Sequence, residues 1–367
     1  MGGATPHVMI PPVPLFATIG HQENWDQVAA IVRALRPSSL APLTETELRE
    51  IVPWIPPRTV SRLWVAASPS SEPVAGIYVD TFITPEELAR RPGPLVLAKV
   101  RDGIRAAERE GARVATLGGF TSILLEAMSS PPTGNLALTT GNTLTAALIV
   151  RGVERAAQLL GRPLDQESLL VIGATGDVGS ACARYLAGKT RRLLLAARNQ
   201  NRLADEAARL QRSGPVFAST DVPELLAEAT MIIAAASAPA PLFALDACHP
   251  EVIICDAGYP KNIQVLTGNA GRRRIFAGGM GTLAGGIRSE DGILEKFYRF
   301  PSGHTGHGCM LEGVVLAITG RFEAFSTGRG RITPARVDEM WRLAGLSGVS
   351  LAPLFNSAGL WPEEGAA

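Results

Sequence analysis

The stretch from Ser168 to Ser180, SLLVIGATGDVGS, joins a five-residue run, a serine and four apolar residues, to a glycine-rich turn. The run is too short for a helix and meets the turn at once, which is typical of a buried parallel strand. The Gly-x-x-Gly-x-x-Gly turn lets backbone N–H groups approach a pyrophosphate, and the next helix N-terminus adds positive potential. The stretch predicts a dinucleotide site, with a turn that binds no nucleotide as the alternative. Its candidate cofactor residues are Gly173, Thr175, Gly176, Asp177, Val178 and Gly179.

Strand and helix patterns alternate after this turn. Further strands are predicted at 193–197, 231–236 and 252–256, and helices at 178–187, 202–212 and 223–229. This alternation predicts an α/β fold with a central doubly wound, Rossmann-type NADP-binding domain. We place that domain, with its leading helix, at residues 141–262. An N-terminal α/β acyl-substrate domain is expected at 1–140 and a mainly helical C-terminal part at 263–367.

Composition excludes several classes of protein. The 367-residue chain has 46% hydrophobic residues, and its 35 basic and 34 acidic side chains create no field that attracts nucleic acid. The four cysteines are widely spaced and predict neither a disulfide framework nor a metal site. Prolines interrupt the apolar run near the N-terminus, so we expect no signal peptide, no integral membrane segment and a cytoplasmic location.

The end of the second predicted strand indicates which dinucleotide binds. A site for NAD usually carries Asp or Glu there, whereas this chain has Arg198 and Asn199. Arg198 suits a 2′-phosphate, and Arg202 either adds a second cation or is an ordinary solvated residue. NADPH is therefore the expected cofactor. Chemistry on a Tyr-x-x-x-Lys base, as in short-chain dehydrogenases, is not expected.

Cys309 follows a loop of small residues and histidines and begins a helical pattern. The apolar residues of that helix fall within an arc of about 100°, and Cys309 and Glu312 lie on its other side. A position at a helix N-terminus near His304 or His307 favours a thiolate, which makes Cys309 a candidate nucleophile; a small buried hydrophobe is the alternative. Glu312 either orients a histidine, transfers a proton or is an exposed helical residue.

An NADP domain combined with one activated thiol implies reduction of an acyl thioester to an aldehyde through a cysteine acyl-enzyme. Two alternatives stay open. An NADP-dependent dehydrogenase of a small hydroxy or oxo compound, with a structural Cys309, predicts unchanged turnover in Cys309→Ala. A non-catalytic NADP-binding scaffold or sensor predicts nucleotide binding without consumption.

Seven different short motifs lie along nearly the whole chain. They are LFATIGH at 15–21, LGGFTSI at 117–123, TTGNT at 139–143, GATGDVGS at 173–180, ARNQ at 197–200, DAGYPKN at 256–262 and CMLE at 309–312. In this order the sequence resembles the long-chain acyl-(acyl carrier protein) reductases of cyanobacteria, which reduce fatty acyl thioesters to aldehydes with NADPH. The resemblance implies that Cys309 accepts the acyl group and that Gly173, Gly176, Gly179 and Arg198 bind NADPH.

The resemblance also implies a substrate cleft. Its motif residues there bind the thioester oxygen or the nicotinamide amide, or form structural turns. These candidates are Gly119, Phe120, Thr121, Ser122, Thr140 and Asn142. The implied substrate is a thioester of acyl carrier protein or coenzyme A, and an aldehyde-consuming enzyme is a further candidate partner. The family's usual Glu-His pair is absent after Gly278-Gly279, which puts the fatty acyl substrate in doubt more than the reaction type.

Overall fold

The computed structural model describes residues 12–22, 24–84, 86–87, 93–119, 121–122, 134–238, 240–258, 261–264, 274–290, 292, 302–328 and 330–362. The helices of these residues are α1 (Trp25–Ala34), α2 (Glu45–Ile51), α3 (Pro94–Arg109), α4 (Asn142–Leu159), α5 (Asp177–Leu186), α6 (Gln200–Leu210), α7 (Val222–Leu226), α8 (Gly308–Ile318) and α9 (Pro334–Leu346). The strands are β1 (Phe16–Gly20), β2 (Arg58–Val65), β3 (Val74–Asp80), β4 (Val114–Leu117), β5 (Ala137–Thr139), β6 (Ser168–Ile172), β7 (Arg192–Ala196), β8 (Val216–Ser219), β9 (Met231–Ala234), β10 (Phe243–Ala244), β11 (Ile253–Asp256), β12 (Ile263–Gln264), β13 (Arg274–Ala277), β14 (Met280–Leu283), β15 (Ile287–Ser289), β16 (Thr305–His307), β17 (Val349–Leu351), β18 (Phe355–Asn356) and β19 (Gly359–Leu360).

The central sheet is parallel throughout and has the strand order β13-β11-β9-β6-β7-β8. Strand β6 lies in its middle and is buried along its whole length. Leu169 and Val171 pack into the core on one face of the sheet, and Leu170 and Ile172 pack into a separate core on the other. A sheet covered on both faces needs apolar residues at every strand position, which explains the unbroken run in the sequence. The predicted doubly wound, Rossmann-type domain is confirmed.

The expectation of a mainly helical C-terminal part is wrong. In the described residues after 263, helices α8 and α9 alternate with short strands, and two of those strands complete other sheets. Strand β13 pairs with β11 in the central sheet, and β15 pairs with β2 in the N-terminal sheet. Strands of two to four residues between glycines leave no periodic signal, so the sequence does not reveal them. The domain limits at 140/141 and 262/263 stay a prediction.

The N-terminal sheet has the order β15-β2-β3-β1-β4-β5, in which β3, β1, β4 and β5 run parallel. The carboxyl ends of these four strands therefore meet at one edge. Helix α8 packs against β1 and β4 of this sheet and against α4. Helix α4 in turn packs on α5, the helix that follows the glycine-rich turn. The fold thus brings the N-termini of α4, α5 and α8 into one region.

Candidate active site

Cys309 is the second residue of α8 and lies between two loops of backbone. One loop follows β4, where a Cβ placed on Gly118 would lie 3.5 Å from the Cys309 Sγ. The other precedes α4, where a Cβ on Gly141 would lie 2.3 Å from the Cys309 Cα. Gly141 also has a φ of +72°, a conformation that favours glycine. The carboxyl edge of the N-terminal sheet therefore holds the thiol against main chain.

Burial is the largest influence on the Cys309 thiol and raises its pKa. Hydrogen bonds from the backbone N–H groups of Gly119 and Met310 lower that pKa, and the nearby carboxylate of Glu312 raises it again. The N–H groups at the start of α8 therefore stabilise the thiolate as expected, but burial has the larger effect on the pKa. Cys309 is accordingly a thiol in the resting protein. Two of the other described cysteines are less suited to ionise, because burial raises the pKa of Cys182 to about 12 and raises the pKa of Cys255 well above its usual value.

Glu312 is fully buried, so its interpretation as an exposed helical residue is wrong. One carboxylate oxygen accepts from the Leu144 N–H at 2.9 Å, and both accept from the Ser326 hydroxyl at 2.7 and 2.9 Å. Thr139 donates a further hydrogen bond. Burial raises the pKa of Glu312, and these donors oppose that rise. Glu312 therefore caps the N-terminus of α4 rather than orienting a histidine.

The two candidate histidines differ in surroundings. His307 ends β16, and burial together with the positive charge of Lys261 lowers its pKa to about 4. With this pKa the imidazole is neutral at neutral pH and is only a weak base toward the Cys309 proton. His304 directly precedes β16, and its ring lies 3.1 Å from the Leu283 carbonyl oxygen, to which Nδ1 donates. The assignment of either histidine as the thiol's base stays a prediction.

The cleft candidates are engaged in local turns. Thr121 Oγ1 donates to the Gly118 carbonyl and Ser122 Oγ to the Gly119 carbonyl, each at 2.7 Å. Thr140 Oγ1 accepts from the Asn142 N–H at 3.4 Å. Among these residues, Gly119 donates its backbone N–H to the Cys309 thiol, whereas the hydroxyls bond within their own turns. Phe120 lies outside the described residues.

The glycine-rich turn has the geometry its sequence predicts. Gly173 has a φ of +86°, and a Cβ there would lie 2.6 Å from the Ala235 carbonyl oxygen. A Cβ on Gly179 would lie 2.2 Å from the Gly173 carbonyl oxygen. Glycine is therefore required at both positions, and the N-terminus of α5 is open to an anion. Val178 is partly buried against the core, so its side chain supports the turn.

Basic side chains lie at the far end of the turn. Arg198 and Arg202 are exposed, and neither forms an ion pair within the described part of the chain. Asn199 caps α6 by accepting from the Arg202 N–H at 3.0 Å. An open pocket of about 280 Å³ adjoins this place and is lined by Thr175, Ser180, Arg184, Arg202, Asp205, Glu206, Arg209 and Gly330. Two cations without acidic partners fit a phosphorylated ribose.

Asp177, the first residue of α5, contacts two other segments through its carboxylate. Oδ1 accepts from the Gly330 N–H at 2.9 Å, and Oδ2 accepts from Asn142 Nδ2 at 3.2 Å. The side chains of Asp177 and Asn142 therefore join the glycine-rich turn to the start of α4. Gly141, which lies in the TTGNT motif, and Ser326 complete this arrangement. Ser326 carries no signal in the sequence, because its partners are remote along the chain.

The sequence does contain one Tyr-x-x-x-Lys spacing, at Tyr185 and Lys189, contrary to expectation. Tyr185 lies near the C-terminal end of α5 and Lys189 follows that helix, away from the turn that begins it. The Tyr185 hydroxyl donates to Asp338 at 2.7 Å, and the Lys189 amine lies 3.7 Å from the centre of the Tyr185 ring. Tyr185 is buried and contacts α9, so the pair is not a base beside the nucleotide turn.

Two other features are absent from the described ranges. No group of three or more metal-ligating side chains occurs among them. No helix there is long and apolar enough to cross a membrane.

Comparison with known proteins gives matches over one segment and over nearly the whole chain. The shikimate / quinate 5-dehydrogenase family matches residues 154–276. The long-chain acyl-[acyl-carrier-protein] reductase of Synechococcus elongatus is 29% identical over 340 residues, covering 88% of this chain and 95% of that protein. The aminotransferase PigE of Serratia sp. is 27% identical over 74% of this chain but only 32% of its own length. Shikimate 5-dehydrogenase from Listeria monocytogenes is 11% identical over 71% of this chain and 89% of its own, with a TM-score of 0.30.

The predicted resemblance is confirmed: the chain is a divergent relative of the cyanobacterial reductase. Its central unit is a Rossmann-type NAD(P)-binding domain, and a nicotinamide cofactor is supported.

Proposed function

We propose that this chain is an NADPH-dependent reductase that converts acyl thioesters of acyl carrier protein or coenzyme A into aldehydes through an acyl-enzyme on Cys309. The observation that carries the proposal is the setting of this thiol. It lies at the N-terminus of α8, accepts N–H groups from Gly119 and Met310, and is the half-buried member of an otherwise fully buried set of cysteines. The Synechococcus elongatus relative is a long-chain acyl-[acyl-carrier-protein] reductase, which supports the substrate class.

The chain's own residues account for acyl transfer. Cys309 Sγ forms a bond to the thioester carbon, while the bond from that carbon to the carrier sulfur breaks. The carrier leaves as a thiol, because its sulfur takes up the proton that Cys309 loses. The N–H groups of Gly119 and Met310 stabilise negative charge on Sγ both before attack and after release of product. Backbone on both sides of the thiol limits access by water.

NADPH, when bound, supplies the hydride that reduces the acyl group. Gly173, Gly179 and the N-terminus of α5 fit the pyrophosphate, and Arg198 with Arg202 fits the 2′-phosphate. That hydride would convert the acyl group on Cys309 into an aldehyde, and the bond from the acyl carbon to Sγ would break to restore the thiolate. A reactive aldehyde as product favours a partner enzyme that consumes it.

Intact-protein mass spectrometry tests the proposal directly. The enzyme is incubated without NADPH with acyl-coenzyme A and acyl carrier protein thioesters of several chain lengths. We expect one added acyl group that maps to Cys309, and addition of NADPH should remove it and release aldehyde. Cys248→Ser serves as the matched control and should keep the adduct, because Cys248 is buried and contacts the Ala244 carbonyl oxygen.

Other outcomes separate the alternatives. NADPH-dependent turnover of a hydroxy or oxo compound, without any adduct, would favour the small-molecule dehydrogenase. Nucleotide binding without an adduct or consumption of NADPH with any thioester would favour the sensor.

The choice of cofactor is tested by Arg198→Ala. Loss of a charge-assisted contact costs about 1.5–3 kcal/mol, so the Michaelis constant for NADPH should rise about ten- to a hundredfold. The constant for NADH should change by no more than about twofold, since NADH lacks the phosphate. Arg212→Ala removes an exposed arginine beyond the far end of α6 and should leave both constants unchanged. Equal losses for both cofactors in Arg198→Ala would refute the assignment.

A further inference from the structure

The carboxylate of Asp177 lies at the N-terminus of α5, where its negative charge would repel a bound anionic ligand. It begins α5, whose N-terminus faces the pyrophosphate in the proposed cofactor complex. Its two oxygens accept from the Gly330 N–H at 2.9 Å and from Asn142 Nδ2 at 3.2 Å. Both donors come from outside the Rossmann sheet. The carboxylate therefore engages neighbouring segments and leaves the turn's N–H groups to the ligand.

One of those segments continues to the helix that carries Cys309. Asn142 follows Gly141, which packs directly against the backbone of Cys309. A Cβ on Gly141 would lie 2.3 Å from the Cα of Cys309. The next two N–H groups of α4 donate to Ser326 Oγ at 3.0 Å and to Glu312 Oε2 at 2.9 Å. Ser326 Oγ also donates to Glu312 on α8.

Ser326 and Gly330 add further contacts. Ser326 contacts both α4 and α8, and Gly330 donates to Asp177 and accepts from Arg184 at 2.7 Å. A route of hydrogen bonds and packing thus runs from Asp177 through Asn142 and the start of α4 to α8, while Gly330 holds the other oxygen of the same carboxylate. A shift of the α5 N-terminus would be transmitted to the thiol by this route.

We propose that Asp177 is a positioning residue, not a cofactor ligand, which links occupancy of the glycine-rich turn to the position of Cys309 through Asn142. The proposal rests on the proposed function for the identity of the ligand and of the reactive thiol. Coupling between two sites is reciprocal, so a nucleotide that changes the reactivity of Cys309 through a shifted equilibrium must bind with altered affinity once Cys309 is modified.

The coupling can be measured without turnover. Alkylation of Cys309 by iodoacetamide is followed by mass spectrometry with and without 2′-phospho-ADP-ribose, which fills the turn but has no nicotinamide ring to shield the thiol. In the unaltered protein the probe should change the alkylation rate at least about fivefold. The dissociation constant of the probe should change in the carbamidomethylated protein as well.

Three variants decide whether Asp177 and Asn142 carry the effect. Asn142→Ala should reduce the change in alkylation rate to less than about twofold, with affinity for the probe retained within about threefold. The matched control Asn356→Ala, whose side chain contacts the Ile275 carbonyl oxygen, should keep the full effect. The double variant Asn142→Asp with Asp177→Asn exchanges donor and acceptor at constant charge and should restore it.

The proposal is overturned if the probe fails to bind, if it leaves alkylation of the unaltered protein unchanged, or if Asn142→Ala shows the full effect. A double variant that behaves like Asn142→Ala would also contradict it. Since iodoacetamide needs no thioester, failure of acyl transfer in the earlier experiment alongside intact coupling would refute the function and not this linkage.

Discussion

Cys309→Ser is expected to abolish the acyl adduct and to reduce NADPH oxidation at least about a thousandfold, because a hydroxyl ionises far less readily than a thiol. The difference is large here, since burial already raises the pKa of the thiol and would penalise an alkoxide more. Serine occupies nearly the same volume, so the fold should be retained. Affinity for NADPH, measured by titration of fluorescence, should stay within about twofold.

The control for this result is Cys248→Ser, which makes the same change in a buried cysteine of the Rossmann-type domain. It should keep both the adduct and the activity. A Cys309→Ser protein with most of its activity, or an adduct on Cys182, Cys248 or Cys255, would contradict the assignment of the nucleophile.

Gly141→Ala is expected to have the second largest effect. The new Cβ would lie 2.3 Å from the Cys309 Cα, so either α4 or α8 must move. A displacement of about 1 Å can cost about a hundredfold in rate, and kcat/KM should fall by this amount. The positive φ of +72° adds a strain of about 1 kcal/mol, which should lower Tm by a few degrees.

Strain and displacement can be separated with Gly161→Ala. Gly161 follows the other end of α4 and also has a positive φ, +63°, but a Cβ there would meet no atom within 4 Å. This variant should show the loss of stability with activity retained within about twofold. If both variants lost activity equally, backbone strain rather than the position of Cys309 would be the cause.

The nucleotide half of the fold could be predicted because its signals are local. Strand β6 and the turn after it are adjacent in sequence, and their residue types are dictated by burial on two faces and by close backbone contacts at Gly173 and Gly179. Strand β8 was missed because it lies at the sheet edge, where Phe217 is exposed and the apolar pattern is weak.

The candidate site was predicted in part. The arc of apolar residues on α8 correctly includes Leu311 and Val314, yet Glu312 on the opposite side is equally buried. A prediction from amphipathic spacing requires one solvent-exposed helix face, whereas α8 is enclosed by β1, β4 and α4. The partners of Glu312 are Thr139, Leu144 and Ser326, and the first two lie more than 160 residues away, where no spacing rule applies.

The run of strands β13, β14 and β15 also limits how this chain can be divided. Within residues 274–289 it enters the central sheet, the three-stranded sheet β16-β14-β17 and the N-terminal sheet in turn. A fragment ending at residue 262 would leave β11 with an unpaired edge. A fragment lacking residues 287–289 would leave β2 with an unpaired edge. Open edges recruit strands from other molecules. A soluble chimaera between two such reductases therefore needs this run and both of its neighbouring strands from the same parent, with the junctions placed elsewhere.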